Sequence, residues 1–185
     1  MKKSIVINLY AGPGADKSTL AAELFASMKR QGASVELVRE YAKELVWAGD
    51  LDTLDKQYLV TQEQCRRQAI LNGKVDFIIT DSPIFLGLLY GKGKPCYDDN
   101  VKTISDNLAL YHNLIVKVAR AKPYITEGRL QTAEEAKGMD MELDDLVFSL
   151  FGGHHIVYDN QGSMLSIIAD IHFHAGDRFG EISAP

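Results

Sequence analysis

Apolar residues recur along the chain in two rhythms. Residues 5–9, Ile-Val-Ile-Asn-Leu, form a short run rich in β-branched side chains, the pattern of a buried strand. Leu20, Leu24, Phe25 and Met28 then share one face of a helix predicted over residues 17–31 and closed by Gly32. Further strands are predicted at 34–38, 75–80, 113–118 and 155–158. Helices are predicted between and after them: from Arg39 to about Gly49, at 52–71 with Asp52 or Thr53 as cap, and at 84–90 behind Pro83. Others follow at 97–110, at 132–151 with Thr132 and Glu135 in capping-box spacing, and at 163–171. Strands alternating with helices predict an α/β fold, a five-stranded parallel sheet with helices on both faces. Residues 1–174 read as one domain and 175–185 as a loose tail.

The segment joining the first strand to the first helix carries the chemistry. Gly12, Pro13, Gly14, Ala15 and Asp16 make a tight turn, and Lys17, Ser18 and Thr19 open the helix. Strand, glycine turn, Lys-Ser and helix is the layout of a phosphate-binding loop. Backbone N–H groups and the helix dipole attract phosphate, the lysine reaches the β- and γ-phosphates of ATP, and the hydroxyl after it holds Mg²⁺. The spacing G-x-x-x-x-G-K-[ST] asks for glycine at positions 11 and 16, which are Ala11 and Asp16. A methyl group at the loop entrance is a mild change. A carboxylate at position 16 repels phosphate by about 4 kcal/mol at 4 Å and an effective dielectric near 20. Aspartate does tolerate a left-handed backbone, so the loop can still form. Asp16 is therefore expected to weaken nucleotide binding.

In a parallel sheet ligands bind beyond the carboxyl ends of the strands. That edge gathers the loop, Glu40 after the second strand, Asp81 after the third and Arg120 after the fourth. Asp81 either helps place Mg²⁺ with Ser18 or caps the helix after Pro83, and the two roles are compatible. Glu40 is either the general base that takes a hydroxyl proton or a surface glutamate paired with Arg39 or Lys43. Arg39 is a candidate for holding a substrate phosphate. Residues 117–129 carry Lys117, Arg120, Lys122 and Arg129 against Glu127 alone. They read as a basic lid, in which Arg120 and Arg129 clamp the transferring phosphate, or as a solvated charged face.

Bulk properties narrow the partners. The chain has 185 residues and a net charge of -5, so broad attraction to nucleic acid is not expected and a local basic patch would be needed. Two cysteines, Cys65 and Cys96, without metal-type spacing fit a reducing cytoplasm. No stretch is long and apolar enough to cross a membrane. His154, His155, His172 and His174 lack the neighbours of a zinc site. Trp47, Tyr41 and Tyr58 read as core or edge packing, with base stacking as the alternative.

The segments LYAGPGADKST, VREYAKE, DFIITDSP and KPYITEGRLQTAEEA together resemble the small P-loop kinases of the AAA-type group. Two groups share this set: nicotinamide-riboside kinase domains and bacteriophage 5-hydroxymethyluracil DNA kinases. The resemblance is closer to the phage group. It implies a P-loop NTPase kinase fold with an arginine-containing lid, the use of ATP and Mg²⁺, and a place in the host cytoplasm. Lys17, Ser18, Asp81 and the lid arginines would take the roles above. The acceptor implied is 5-hydroxymethyluracil in DNA, with a nucleoside or nicotinamide riboside as the alternative. Asp16 departs from both groups, which leaves open a nucleotide-binding module with little catalysis.

Overall fold

The first strand, β1 (Ile5–Tyr10), is buried at every position, as a strand must be when helices cover both faces of its sheet. The computed structural model describes residues 3–120, 133–159 and 163–176. Around β1 stand β2 (Val35–Val38), β3 (Phe77–Thr80), β4 (His112–Val118) and β5 (Ile156–Tyr158), in the order β2-β3-β1-β4-β5. All four pairings are parallel, so the expected α/β architecture is the observed one. Asn8 is in register with Thr80, and Thr80 with Val38, while Tyr10 is in register with Lys117. The residues that follow these strands therefore leave the sheet at one edge.

The helices are α1 (Lys17–Arg30), α2 (Tyr41–Ala48), α3 (Leu51–Asp55), α4 (Gln57–Ala69), α5 (Leu86–Tyr90), α6 (Tyr97–Leu108), α7 (Ala133–Phe151) and α8 (Met164–Ala175). Alternation along β1 divides the core. Ile5, Ile7 and Leu9 pack with Leu20, Leu24 and Met28 of α1 and Ile167 and Ile171 of α8. Tyr10 turns to the other face, with Phe85, Leu86, Ile104, Ile115, Leu143 and Val147. Fully burying one such aliphatic or aromatic side chain contributes about 1.5–3 kcal/mol.

Several expected boundaries are corrected. The single helix at 52–71 is two helices, because the backbone of Lys56 leaves the helical region at φ -84°, ψ 73°. The cap of the first is Asp50, whose carboxylate accepts from Thr53 N at 3.0 Å, not Asp52 or Thr53. The Lys56 carbonyl then accepts from Leu59 N and starts α4. Residues 84–85 lie in a tight turn before α5, with Leu86 N donating to Pro83 O at 3.0 Å. Arg39 and Glu40 precede α2 rather than opening it. The last helix runs past Ile171 to Ala175, whose side chain is buried in the core. The expected cap at Thr132 and Glu135 lies outside the described residues or side chains, as do residues 177–185 of the tail.

Candidate active site

β1 ends at Tyr10, and the turn that follows has the backbone its sequence requires. Gly14 takes φ 83°, open to glycine at no steric cost. Asp16 is the N-cap of α1 in the left-handed region, φ 57°, ψ 24°, and its carbonyl accepts from Leu20 N at 3.0 Å. Its side chain does not cap the helix. The turn thus closes with aspartate where glycine was expected, and the carboxylate stays at the mouth of a helix that would otherwise favour an anion.

Lys17 folds back over the turn. Its ammonium donates to Ala11 O at 2.8 Å and Gly12 O at 3.1 Å. Burial lowers its pKa, while Glu40, Asp81 and Asp140 act in the opposite sense and Arg120 adds to the lowering. Asp81, buried directly after β3, accepts from the Glu40 N–H at 3.2 Å. That bond pins the exit of β2 to the exit of β3. Gln64 of α4 supports it from behind, accepting from Tyr41 N at 3.2 Å and donating to Arg39 O at 3.4 Å. Burial raises the pKa of both carboxyl groups, and Lys17 opposes the rise in each. For Glu40, the negative charge of Asp81 adds to it.

Arg120, after β4, closes the other side. One guanidinium nitrogen donates to Pro13 O at 2.7 Å and the other to Asp140 Oδ2 at 2.9 Å. Asp140 Oδ1 accepts from Gly12 N at 2.5 Å. One turn further along α7, Asp144 accepts from the Tyr10 hydroxyl at 3.0 Å and pairs with Lys117. Tyr90 of α5 borders the same edge: burial, then Glu40 and Asp140, push its phenol up to about 12.

This fold recurs in known structures. The NadR protein in complex with NR matches with a TM-score of 0.71 at 18% identity, over 98% of this chain and 54% of that one. This chain therefore spans about half the length of that protein. The structure of APE1195 matches with a TM-score of 0.52 at 16% identity, over 95% of this chain and 96% of that one. No protein-family model matches the sequence, and no curated protein does. The fold, a five-stranded parallel sheet flanked by helices, is the one shared with these structures.

Within this fold the structure brings Lys17, Glu40, Asp81 and Arg120 to one edge, beside the turn from Gly12 to Asp16. Ser18 and Thr19 are exposed on the first turn of α1. Arg129, with Lys122, lies outside the described residues. A hydroxyl at Ser18 and a carboxylate at Asp81 are hard oxygen donors of the kind Mg²⁺ takes, and the remaining positions of an octahedral ion would fall to water and phosphate oxygens. Among the described residues no group of three or more His, Cys, Asp or Glu is arranged to hold a metal. His155 Nδ1 instead accepts from Ile115 N at 3.1 Å.

Trp47 is not packed: it is 79% exposed on α2. Tyr41 is covered by the Arg67 guanidinium, 4.8 Å above its ring. Sequence reasoning missed Asp140, Asp144, Tyr90 and Gln64. The one available signal was Asp140 and Asp144 at i, i+4, which puts two carboxylates on the same helix face.

Proposed function

We propose that the chain is an ATP-dependent phosphotransferase whose acceptor is the hydroxyl of a nucleoside-sized molecule. The observation that carries this reading is the hydrogen bond from Glu40 N–H to Asp81, which sets the half-buried Glu40 and the buried Asp81 against Lys17 beside the glycine turn. Lys17 and the loop amides hold the β- and γ-phosphates. Ser18 and Asp81 would hold Mg²⁺, whose charge would offset that of the phosphate oxygens. The Glu40 carboxylate accepts the acceptor's hydroxyl proton as that oxygen bonds to the γ-phosphorus, the bond to the β-γ bridging oxygen breaks, and ADP leaves. Its raised pKa brings it nearer to neutral pH, which suits a base. Arg120 stabilises charge on the transferring group.

Two observations support a small acceptor. The likeness to NR-bound NadR extends over nearly the whole chain. Among the described residues, three cations are engaged internally: Lys117 with Asp144, Arg120 with Asp140 and Lys94 with Asp55. The finer reading from sequence, 5-hydroxymethyluracil in DNA, has the exposed Trp47 in its favour, one turn beyond exposed Lys43 on α2. An open aromatic beside a cation suits a stacked nucleotide base.

The deciding experiment incubates γ-labelled ATP and Mg²⁺ with free nucleosides including nicotinamide riboside, with 5-hydroxymethyluracil DNA and with ordinary DNA. The chain and its Asp16→Gly form are both assayed. Label on a nucleoside supports the small acceptor. Label confined to the modified DNA, with a steep loss as salt rises, establishes the DNA reading. No transfer by either protein, with ATP bound, leaves a binding module.

A further inference from the structure

The carboxylate of Asp140 lies at a crossing that the phosphotransferase reading does not use. Its two oxygens are divided between the first amide of the phosphate loop, Gly12 N at 2.5 Å, and the guanidinium of Arg120 at 2.9 Å. The same guanidinium reaches the loop again through Pro13 O at 2.7 Å. Loop, arginine and aspartate thus close a ring of hydrogen bonds. Both charged groups are largely covered, with side-chain exposures of 16% for Arg120 and 30% for Asp140. At that degree of burial a charged hydrogen bond is worth more than at an open surface. The link also spans the chain: Gly12 and Asp140 are 128 residues apart, and Asp140 sits on α7.

We propose that Asp140 is the positioning residue for Arg120, fixing the guanidinium against the phosphate loop before nucleotide arrives. The consequence for phosphoryl transfer rests on the function proposed above. The positioning itself does not. Asp140 does not occupy the amides that follow Gly14, where a triphosphate is held. It holds the loop's entrance and the arginine. An arginine free to rotate would have to be ordered in each catalytic cycle, whereas one held on two sides meets the developing charge without reorganising.

The test uses the full chain with ¹⁵N-labelled arginine, the Arg120 resonance being assigned by its disappearance in Arg120→Lys. Guanidinium rotation is measured in the free protein and in Asp140→Asn, which keeps the shape and an acceptor for Gly12 but loses the charge. Rotation about tenfold faster in Asp140→Asn, with the protein still folded at the assay temperature, is the expected result, since a hydrogen bond to a charged group is worth at least one such factor. Unchanged rotation overturns the proposal. Kinetics of ATP turnover in the Asp16→Gly background then separate positioning from a merely structural anchor. Positioning lowers kcat in Asp140→Asn with little change in the KM for ATP. Adding Arg120→Lys then lowers it no further than Arg120→Lys alone. Effects that multiply in the double variant count against positioning. Faster rotation without turnover in any form leaves Asp140 as the arginine's holder and removes the kinase reading instead.

Discussion

Replacing Asp16 by glycine separates two quantities that the structure places at one residue. The residue is left-handed, at φ 57°, and stands at the N-terminus of α1. Glycine relieves about 1–2 kcal/mol of left-handed strain, an upper value for aspartate. It also adds about 0.4–1 kcal/mol of unfolded-chain entropy and removes a carboxylate worth about 0.3–1 kcal/mol at a helix N-terminus. These effects nearly cancel, so the unfolding temperature should move by less than about 4 °C at about 2–4 °C per kcal/mol. Nucleotide binding is different. A unit charge 4–8 Å from a phosphate charge repels it by about 4 to 2 kcal/mol at an effective dielectric near 20. The site already sets Glu40, Asp81 and Asp140 around Lys17 and Arg120, so the Asp16 carboxylate adds to three others. After screening by salt and Mg²⁺, about 1.4 kcal/mol is a conservative remainder, which is a tenfold gain in affinity. Isothermal titration of MgATP into the chain, Asp16→Gly and Asp16→Asn measures it. Asparagine keeps the left-handed tolerance and loses only the charge, so it should recover most of the gain. Dissociation constants within about twofold of one another across all three proteins would refute the reasoning.

Glu40→Gln should lower kcat by about 10²–10⁴-fold with little change in the KM for ATP, and should abolish the fall in rate at low pH as a group of raised pKa becomes protonated; a rate profile unchanged in height and shape would remove Glu40 from the chemistry. Gly87→Ala should destabilise the protein by about 1–2 kcal/mol net of the helix preference of alanine, read as a lower unfolding temperature. The added methyl would stand 2.5 Å from Thr61 Oγ1 and 3.0 Å from Ile104 Cδ1, so Thr61→Ala in the same chain should restore part of the loss. The pKa of His155 is lowered by burial, then by His174 and His154, and that of His172 by burial. Both are neutral in the fold, and the His155 Nδ1 that accepts from Ile115 would lose that role on protonation. Their stability is complete above the ordinary histidine value of about 6.5 and is lost as pH falls from there through the lowered values. The unfolding temperature should therefore drop between pH 7.5 and 5, and His155→Asn should show a shallower drop if its titration contributes.

Much of this protein was legible in one dimension. A β-branched run, a glycine turn and a helical stripe lie next to one another in the chain, so β1, the turn after it and α1 follow from local preference alone. The parallel sheet then brings Glu40, Asp81 and Arg120 to one edge, since parallel strands end at the same side. Folding in three dimensions decided the rest. No periodicity says that a carboxylate on α7 reaches an amide 128 residues earlier, because an aspartate on a helix looks the same in sequence whether water or a phosphate loop lies beyond it. Lys56 interrupts an uninterrupted helical pattern without glycine or proline, so the break depends on how α3 and α4 pack rather than on local propensity. Trp47 reads as apolar yet stands in solvent, because hydrophobicity records what a side chain prefers and only the neighbouring elements determine whether it is covered.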